Sequence, residues 1–528
     1  MELQNLQAIE TATRFGRQEL FRFGTALLFI IAIMLFTLGR GISGPDSVML
    51  VVAAMIGGYM ALNIGANDVA NNVGPAVGSR ALTMIGAILI AAVFEASGAL
   101  IAGGEVVSTI KSSIINPDQI ADSTTFIWLM TAALLAGALW LNAATVMGAP
   151  VSTTHSIVGG VLGAGVAAGG VEIANWGKLA EIAASWVISP VLGGLIAAAF
   201  LYLVKRTVTY QTDMVAAARR MVPLLVAIMA WAFSTYLILK GLKKIWSVSF
   251  PTAFGIGLLL ALLIYLIVRP LVRRAAATLS NEKSSINQLF TVPLIFAAAL
   301  LSFAHGANDV ANAVGPLAAI NEAISGGGVA GKAAIPLWVM VVGAIGISLG
   351  LMLYGPKLIR TVGSEITELD QTRAFCIAMA AAITVIIASQ LGLPVSSTHI
   401  AVGGVFGVGF LREYLKANYA RMIEDIQHHH QGAERATVDQ FLAQFERASL
   451  EAKGAMLKAL KNQSAADQPD TEGSLTKKER KGLRRIYRQQ LVKRSALLKI
   501  VAAWLITVPV SALLAAMLFF MIRGMMLP

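Results

Sequence analysis

Two aspartates in apolar surroundings, Asp68 and Asp309, are the residues of this sequence best suited to chemistry. They stand in the segments Gly65–Pro75 and Gly306–Pro316, which are identical at ten of eleven positions and lie 241 residues apart. A carboxyl group at membrane depth is costly and therefore marks a functional site by default. Carboxylate and amide oxygens suit a small cation such as sodium, and a carboxyl can also carry a proton. The amides beside the two acids are those of Asn67, Asn71, Asn308 and Asn312.

A second motif follows each aspartate segment. Pro150–His155 begins 85 residues after Gly65, and Pro394–His399 begins 88 residues after Gly306. Proline followed by Ser and Thr is typical of a helix start, which presents free backbone N–H groups and the positive end of the helix dipole. Two such starts facing each other inside a membrane would bind phosphate or a related oxyanion. The hydroxyl residues of the two motifs are Ser152, Thr153, Thr154, Ser396, Ser397 and Thr398.

Several of these polar side chains also have a plain structural interpretation. Ser and Thr in apolar helices often bond only to a backbone carbonyl or a neighbouring helix, but two matched clusters after proline favour the functional interpretation. Glu95 is either a cation ligand or an interior acid paired with a hydroxyl, and it has no acidic counterpart in the second half. His155 and His399 could relay protons, bind a ligand, orient a hydroxyl or close the hairpin. His305 aligns with Ile64, so no symmetric role is predicted for it.

The composition places the chain in a membrane. Of its 528 residues, 56% are hydrophobic and 13% are charged, and the mean hydropathy is +0.72. Continuous apolar runs of about 20 residues indicate helices rather than a β-barrel. The net charge of +12 lies in loops and one polar insert, as the positive-inside rule predicts, so no nucleic-acid partner is expected. Cys376 is the only cysteine, which excludes an intramolecular disulfide.

The sequence therefore predicts an all-α, polytopic membrane protein of about 11–13 transmembrane or half-membrane helical segments. The paired motifs indicate two inverted repeats with re-entrant or broken helices, and the short, glycine-rich runs 150–169 and 395–411 are the candidates for re-entrant segments. The predicted units are a cytoplasmic tail and first span (1–47), repeat 1 (48–204), connecting transmembrane segments (205–288), repeat 2 (289–411), a polar cytoplasmic insert (412–495) and a final transmembrane helix (496–528).

The four motifs, in this order, resemble the inorganic phosphate transporter family (PiT) over about 48–411 and the last span. The resemblance implies an inverted-repeat fold and a secondary symporter that takes up phosphate with a cation. Matched by position, the implied phosphate-binding residues are Asp68, Asn71, Ser152, Thr153, Thr154, Asp309, Asn312, Ser396, Ser397 and Thr398. The implied cation ligands are Asn67, Asp68, Asn308, Asp309 and Glu95, the last matching an acid often found in the first repeat.

The resemblance favours sodium over a proton as the coupled ion. Both copies read Gly-Ala-Asn-Asp-Val-Ala-Asn, which is more like the sodium-dependent branch than the members with His-Asp-Thr-Ala-Asn in the first copy. A sulfate-specific relative exists, so a permease for sulfate or another oxyanion is the alternative.

Other function classes fit less well. A membrane phosphatase would need one asymmetric site, whereas every polar motif here is duplicated. An anion channel would not need buried acids, and no Gly-x-x-x-x-Gly-Lys-Ser/Thr motif supports ATP-driven transport. We therefore expect no enzyme activity and no cofactor beyond the co-transported sodium ion or proton. The expected partners are inorganic phosphate and the bilayer of the cell membrane, such as a bacterial inner membrane; a homodimer rests on analogy alone.

Overall fold

Helices make up the computed structural model, which describes residues 2–40, 46–120, 122–147, 149, 151–241, 248–325, 335–365, 369–428 and 494–526. In chain order they are α1 (Glu2–Leu38), α2 (Asp46–Asn67), α3 (Ala70–Gly78), α4 (Met84–Ala102), α5 (Gly104–Ser112), α6 (Ser123–Met147), α7 (Thr153–Gly169), α8 (Trp176–Val204), α9 (Met214–Tyr236), α10 (Phe250–Ala275), α11 (Lys283–Gln288), α12 (Thr291–Ile324), α13 (Leu337–Glu365), α14 (Gln371–Gln390), α15 (Ser397–His428) and α16 (Arg494–Met526). Pro150, and the predicted polar insert beyond His428, lie outside the described residues.

Eleven helical stretches within these ranges are long and apolar enough to cross a membrane. The helices α7 and α15, which start at the two Ser/Thr motifs, are not among them. The prediction of an all-α polytopic membrane protein with about 11–13 helical segments is confirmed. Helix α1 runs without a break from the predicted tail into the first span.

The two aspartate segments run antiparallel past each other. Gly57, before Asp68 in the chain, packs against Leu317, after Asp309, while Asp68 and Asp309 themselves lie close together. Two copies that enter a membrane from opposite sides would cross in this way.

The two copies differ in local structure. The first is interrupted, because α2 ends at Asn67 and α3 begins at Ala70, which leaves Asp68 and Val69 between the helices. The second copy lies inside the continuous helix α12. The first copy therefore departs from a continuous helix at one turn, where the N–H groups of Asn71 and Asn72 bond three residues back, to the carbonyls of Asp68 and Val69.

Each Ser/Thr motif opens the second arm of a helical hairpin. In the first hairpin, α6 and α7 run antiparallel, since Gly160 packs on Ala133 while Gly137 lies near Ile157. Glycines on α7 also lie against the backbone of α16, and glycines on α15 lie against the backbone of α8. Small residues permit this close approach of helices. The first hairpin thus packs against the final helix α16, and the second hairpin packs against α8 of the first half.

Candidate functional site

The two hairpin helices begin with matching caps. The Ser152 hydroxyl accepts a hydrogen bond from the backbone N–H of His155 at 3.1 Å. The Ser396 hydroxyl accepts one from the N–H of His399 at 3.2 Å. These are N-cap interactions, so the helix starts predicted from the sequence are present. Two of the six predicted phosphate-binding hydroxyls therefore also cap the hairpin helices.

Asp68 accepts hydrogen bonds from hydroxyl groups of both hairpins. The Thr153 hydroxyl donates to Asp68 Oδ2 at 2.6 Å, and the Thr398 hydroxyl donates to Asp68 Oδ1 at 3.3 Å. Asp309 has a similar partner, since Ser397 donates to Asp309 Oδ2 at 3.0 Å. Both acids are buried, with 1% of their surface exposed. A buried carboxylate is tolerated when hydrogen bonds satisfy it.

The asparagines tie each copy to the hairpin of the other half. The Asn71 amide donates to the Thr398 hydroxyl at 2.8 Å. The Asn312 amide donates to the hydroxyls of Thr153 at 3.0 Å and Thr154 at 3.2 Å. Both ties connect elements that are far apart in sequence, so the site exists only when the two halves are assembled.

Asn67 and Asn308 hold the hairpin tips. The Asn67 amide donates to the Thr145 hydroxyl at 3.0 Å and its oxygen accepts from the N–H of Val151 at 3.4 Å. The Asn308 amide donates to the Ser389 hydroxyl at 3.0 Å. Both residues are predicted cation ligands, and each also makes hydrogen bonds within the protein.

Four buried side-chain oxygens of the predicted binding residues have no hydrogen-bond partner among the described residues. An amide or carboxylate oxygen without a donor is suited to a cation, because its lone pairs are free. Nearby, Asp68, His305 and Asp309 each offer a ligand atom, and these atoms lie within 4.8 Å of one another. The four oxygens are Asn71 Oδ1, Asn308 Oδ1, Asp309 Oδ1 and Asn312 Oδ1.

Glu95 and His305 meet across the two halves. His305 Nδ1 lies 2.6 Å from Glu95 Oε2, and Nε2 lies 2.8 Å from Asp309 Oδ2. The Asn72 amide donates to Glu95 Oε1 at 2.7 Å. From the sequence, Glu95 was interpreted as a cation ligand or an acid paired with a hydroxyl, and no symmetric role was predicted for His305. Yet each of the two lacked a counterpart in the other half, and this shared irregularity could have paired them.

His155 and His399 belong to a column of four rings. The His155 ring lies 3.8 Å from that of Trp186 and 4.5 Å from that of His399, measured between centroids. The His399 ring stacks on Trp504 at 3.6 Å. Trp186 also donates to the Pro394 carbonyl at 3.0 Å. This packing favours the interpretation that the histidines close the hairpins.

Comparison with known proteins fits this site. A model of the phosphate transporter family matches residues 64–515. A relative from Helicobacter pylori strain J99, named "Putative phosphate permease", is 55% identical over 98% of each chain. A relative from Pyrococcus abyssi with the same description is 38% identical over 71% of this chain and 92% of its own length.

A solved structure agrees with these relatives. It is described as "The sodium-dependent phosphate transporter", has a TM-score of 0.73 and 31% sequence identity, and the match covers 91% of this chain and 100% of that one. With eleven candidate spans among the described residues, the chain is a multi-pass protein of the cell membrane and a phosphate transporter, not an enzyme. By sequence and by structure alike, it belongs to the phosphate transporter family.

Proposed function

We propose that this phosphate transporter is a symporter that couples inorganic phosphate to sodium and works by alternating access. The hydroxyls and backbone N–H groups at the two hairpin starts would bind phosphate. Asp68, Asp309 and the unpartnered amide oxygens would bind the cation, whose charge offsets that of the anion before the pair crosses hydrocarbon. The solved sodium-dependent relative supports this choice of cation.

Two hydrogen bonds that cross between the halves support alternating access most directly. Asn71 reaches Thr398 and Asn312 reaches Thr154. Each bond joins an aspartate segment to the hairpin of the other half, so rocking of one half against the other would open or close the binding site between them. The antiparallel course of the two segments supports the inverted repeat that such a motion needs.

A proton is the second candidate for the coupled ion, and one group of contacts favours it. Glu95, His305 and Asp309 form a row of titratable groups with separations of 2.6 and 2.8 Å. Such rows carry protons in other membrane transporters. Sodium remains preferred, because the unpartnered oxygens suit a metal cation and have no use in a proton path.

Uptake of radiolabelled phosphate into proteoliposomes tests these proposals. The sodium gradient and the pH gradient are varied separately, with sulfate as competitor. We expect uptake that requires sodium and resists sulfate. Uptake driven by pH alone would support the proton, and uptake indifferent to both gradients would contradict symport.

Two variants test the site in the same assay. Asp68→Asn and Asp309→Asn should each lower uptake by about a hundredfold or more, because each removes a buried charge that the cation would neutralise. The exposed Asp118 provides a matched control, since Asp118→Asn changes the same group at the surface. Undiminished uptake in the two site variants would contradict the assignment of these acids.

A further inference from the structure

The short helix α5 lies along the second half of the binding site. At one end of the contact, a Cβ at Gly103, just before α5, would lie 2.7 Å from Val310. At the other end, a Cβ at Gly315 would lie 2.8 Å from the side chain of Ile110. Helix α5 therefore runs beside α12, from the level of Asp309 towards the end of α12.

Two polar contacts fix α5 in this position. The Thr109 hydroxyl donates to the Gly392 carbonyl at 2.8 Å, in the loop that leads into the second Ser/Thr motif. Lys111 forms an ion pair with Glu322, which stands near the end of α12. The two residues of this pair are buried, with 9% and 7% of their surface exposed. Helix α5 is thus joined both to α12 and to the second hairpin.

This end of α12 faces away from the predicted cytoplasmic insert. Helices α12 and α14 run in the same direction, because the Phe290 and Phe375 rings lie 5.6 Å apart near their starts and Asn308 donates to Ser389 further along both. Helix α15 then returns beside α14 towards the insert. The start of α12 therefore lies on the side of the insert, and the ion pair lies towards the opposite, outer side.

An ion pair suits a contact that has to open. The cost of removing two charges from water offsets most of their attraction, so a buried pair stabilises a fold little more than apolar residues of the same size would. When the contact opens, both charges are hydrated again, whereas separated apolar surfaces would be exposed to water at a cost. The pair formed by Lys111 and Glu322 can therefore hold a closed arrangement and still release it.

We propose that α5 is a gate that closes the phosphate site on the outer side, and that the ion pair of Lys111 with Glu322 holds this gate closed. Opening separates α5 from α12 and from the second hairpin, and phosphate then reaches the hydroxyls of Ser397 and Thr398. The inference rests on the proposed alternating access, which requires that the site is open to one side at a time. Neither residue of the pair belongs to a repeated motif.

A disulfide between α5 and α12 tests whether the two helices must separate. Ile110→Cys and Gly315→Cys are suitable, because their Cβ positions lie 3.0 Å apart, close to disulfide spacing, and the first change removes the methyl group that a side chain at 315 would meet. Cys376 is replaced by alanine in this variant. Oxidation should lower phosphate uptake into proteoliposomes about tenfold or more, and reduction should restore it.

The two single cysteine variants are the controls for this disulfide. Each carries one of the changes and cannot form the bond, so oxidation should leave its uptake unchanged. Uptake that persists in fully cross-linked protein would overturn the proposal.

Thiol labelling tests the ion pair by a measurement that does not depend on uptake. Ile110 is fully buried, so the thiol of Ile110→Cys reacts with a membrane-impermeant maleimide only when α5 leaves α12. Adding Lys111→Gln leaves the Glu322 carboxylate buried without its cation. Labelling from the outer side of right-side-out vesicles should then be about tenfold faster or more. Equal rates with and without Lys111→Gln would overturn the proposal.

Two controls separate the opening of the gate from a general loss of structure. Lys178→Gln breaks the exposed pair of Lys178 with Glu181, at 2.9 Å, and should leave the labelling rate unchanged. Cys376, which is buried in α14, should stay unreactive when Lys111→Gln is made in the otherwise unchanged chain. Equally fast labelling of Cys376 would show that the whole protein has loosened and would overturn the proposal.

The gate and the proposed symport can fail separately. Wild-type uptake that is indifferent to both gradients would contradict symport, whatever the labelling rates. Sodium-dependent wild-type uptake, with full uptake in the cross-linked protein, would overturn this inference alone.

Discussion

Two close helix crossings, one in each half of the site, share a backbone geometry and differ in chemistry. Where α2 crosses α13, Gly65 lies against the backbone of Ile347. Where α12 crosses α4, Gly306 lies against the backbone of Glu95. A glycine in the same place of each repeated segment allows the same close approach. The duplicated sequence thus preserves the contact between backbones.

The side chains at the two crossings are not equivalent. The first crossing carries the apolar pair Ile64 and Ile347, whereas the second carries His305 and Glu95, at 2.6 Å. One half therefore has an acid and a base in place of two isoleucines. A fold that accommodates both arrangements does not require the polar pair for packing.

This difference makes the two aspartates unequal. Asp309 has His305 at 2.8 Å as well as a hydroxyl, whereas Asp68 receives only the hydroxyls of Thr153 and Thr398 among the bonds described. A protonated His305 would offset part of the charge of Asp309. Under the proposed coupling, Asp68 is therefore the acid that would depend more on the cation.

The largest effects should come from the shared glycines. A Cβ at Gly65 would overlap the carbonyl oxygen of Ile347, and a Cβ at Gly306 would overlap that of Glu95. Gly65→Ala and Gly306→Ala should each cost about 3 kcal/mol or more, because backbone must move. The yield of monodisperse protein after detergent extraction measures this. Gly24→Ala is the control, since nothing lies within 4 Å of its Cβ position; a loss as large in that variant would contradict the explanation.

The next largest effect is expected when the polar pair of the second crossing is replaced by the isoleucines found at the first. Glu95→Ile alone leaves His305 Nδ1 buried without its carboxylate partner and should cost about 3–5 kcal/mol. Adding His305→Ile recreates the pair Ile64 and Ile347, so the double variant should be more stable than the single one. Thermal unfolding of the purified proteins measures both. Additive losses would show that the two crossings are not interchangeable.

The sequence predicted much of this architecture because its signals are local and repeated. Matching motifs such as Gly65–Pro75 and Gly306–Pro316 indicated the duplication, and a proline before Ser and Thr indicated each helix start. Repeated local motifs do not predict which hydroxyl accepts a hydrogen bond from which amide. The contact between Glu95 and His305 joins residues 210 positions apart, and only the crossing of α4 and α12 creates it.

Local sequence also failed to predict the break in the first copy. Ten of eleven residues are identical, yet one copy is interrupted at Asp68 and Val69 and the other is a continuous helix. The one difference is Asn72 against Ala313, and Asn72 reaches Glu95. That contact is with a group distant in the chain, and no propensity scale contains it.

A smaller effect should follow from exchanging the residues at the one position where the two segments differ. Asn72→Ala removes the amide that donates to Glu95 Oε1 at 2.7 Å and should cost about 1–3 kcal/mol. The reverse change, Ala313→Asn, should also destabilise, because the position matching Glu95 is Ile347 and offers no acceptor. Thermal unfolding measures both variants. A stabilising Ala313→Asn would contradict the account of the two crossings.

The smallest effect is expected where the two halves are alike. His155 and His399 occupy matching positions in the ring column, between Trp186 and Trp504. If their rings serve packing, His155→Phe and His399→Phe should each keep phosphate uptake within about threefold of wild type, because an aromatic contact contributes about 0.5–1.5 kcal/mol and a ring remains. His155→Ala, which removes the ring, should lower the unfolding temperature more than His155→Phe does. Proton transfer through these side chains would instead make both Phe variants inactive at normal stability, which would separate a role in transport from the role in closing the hairpins.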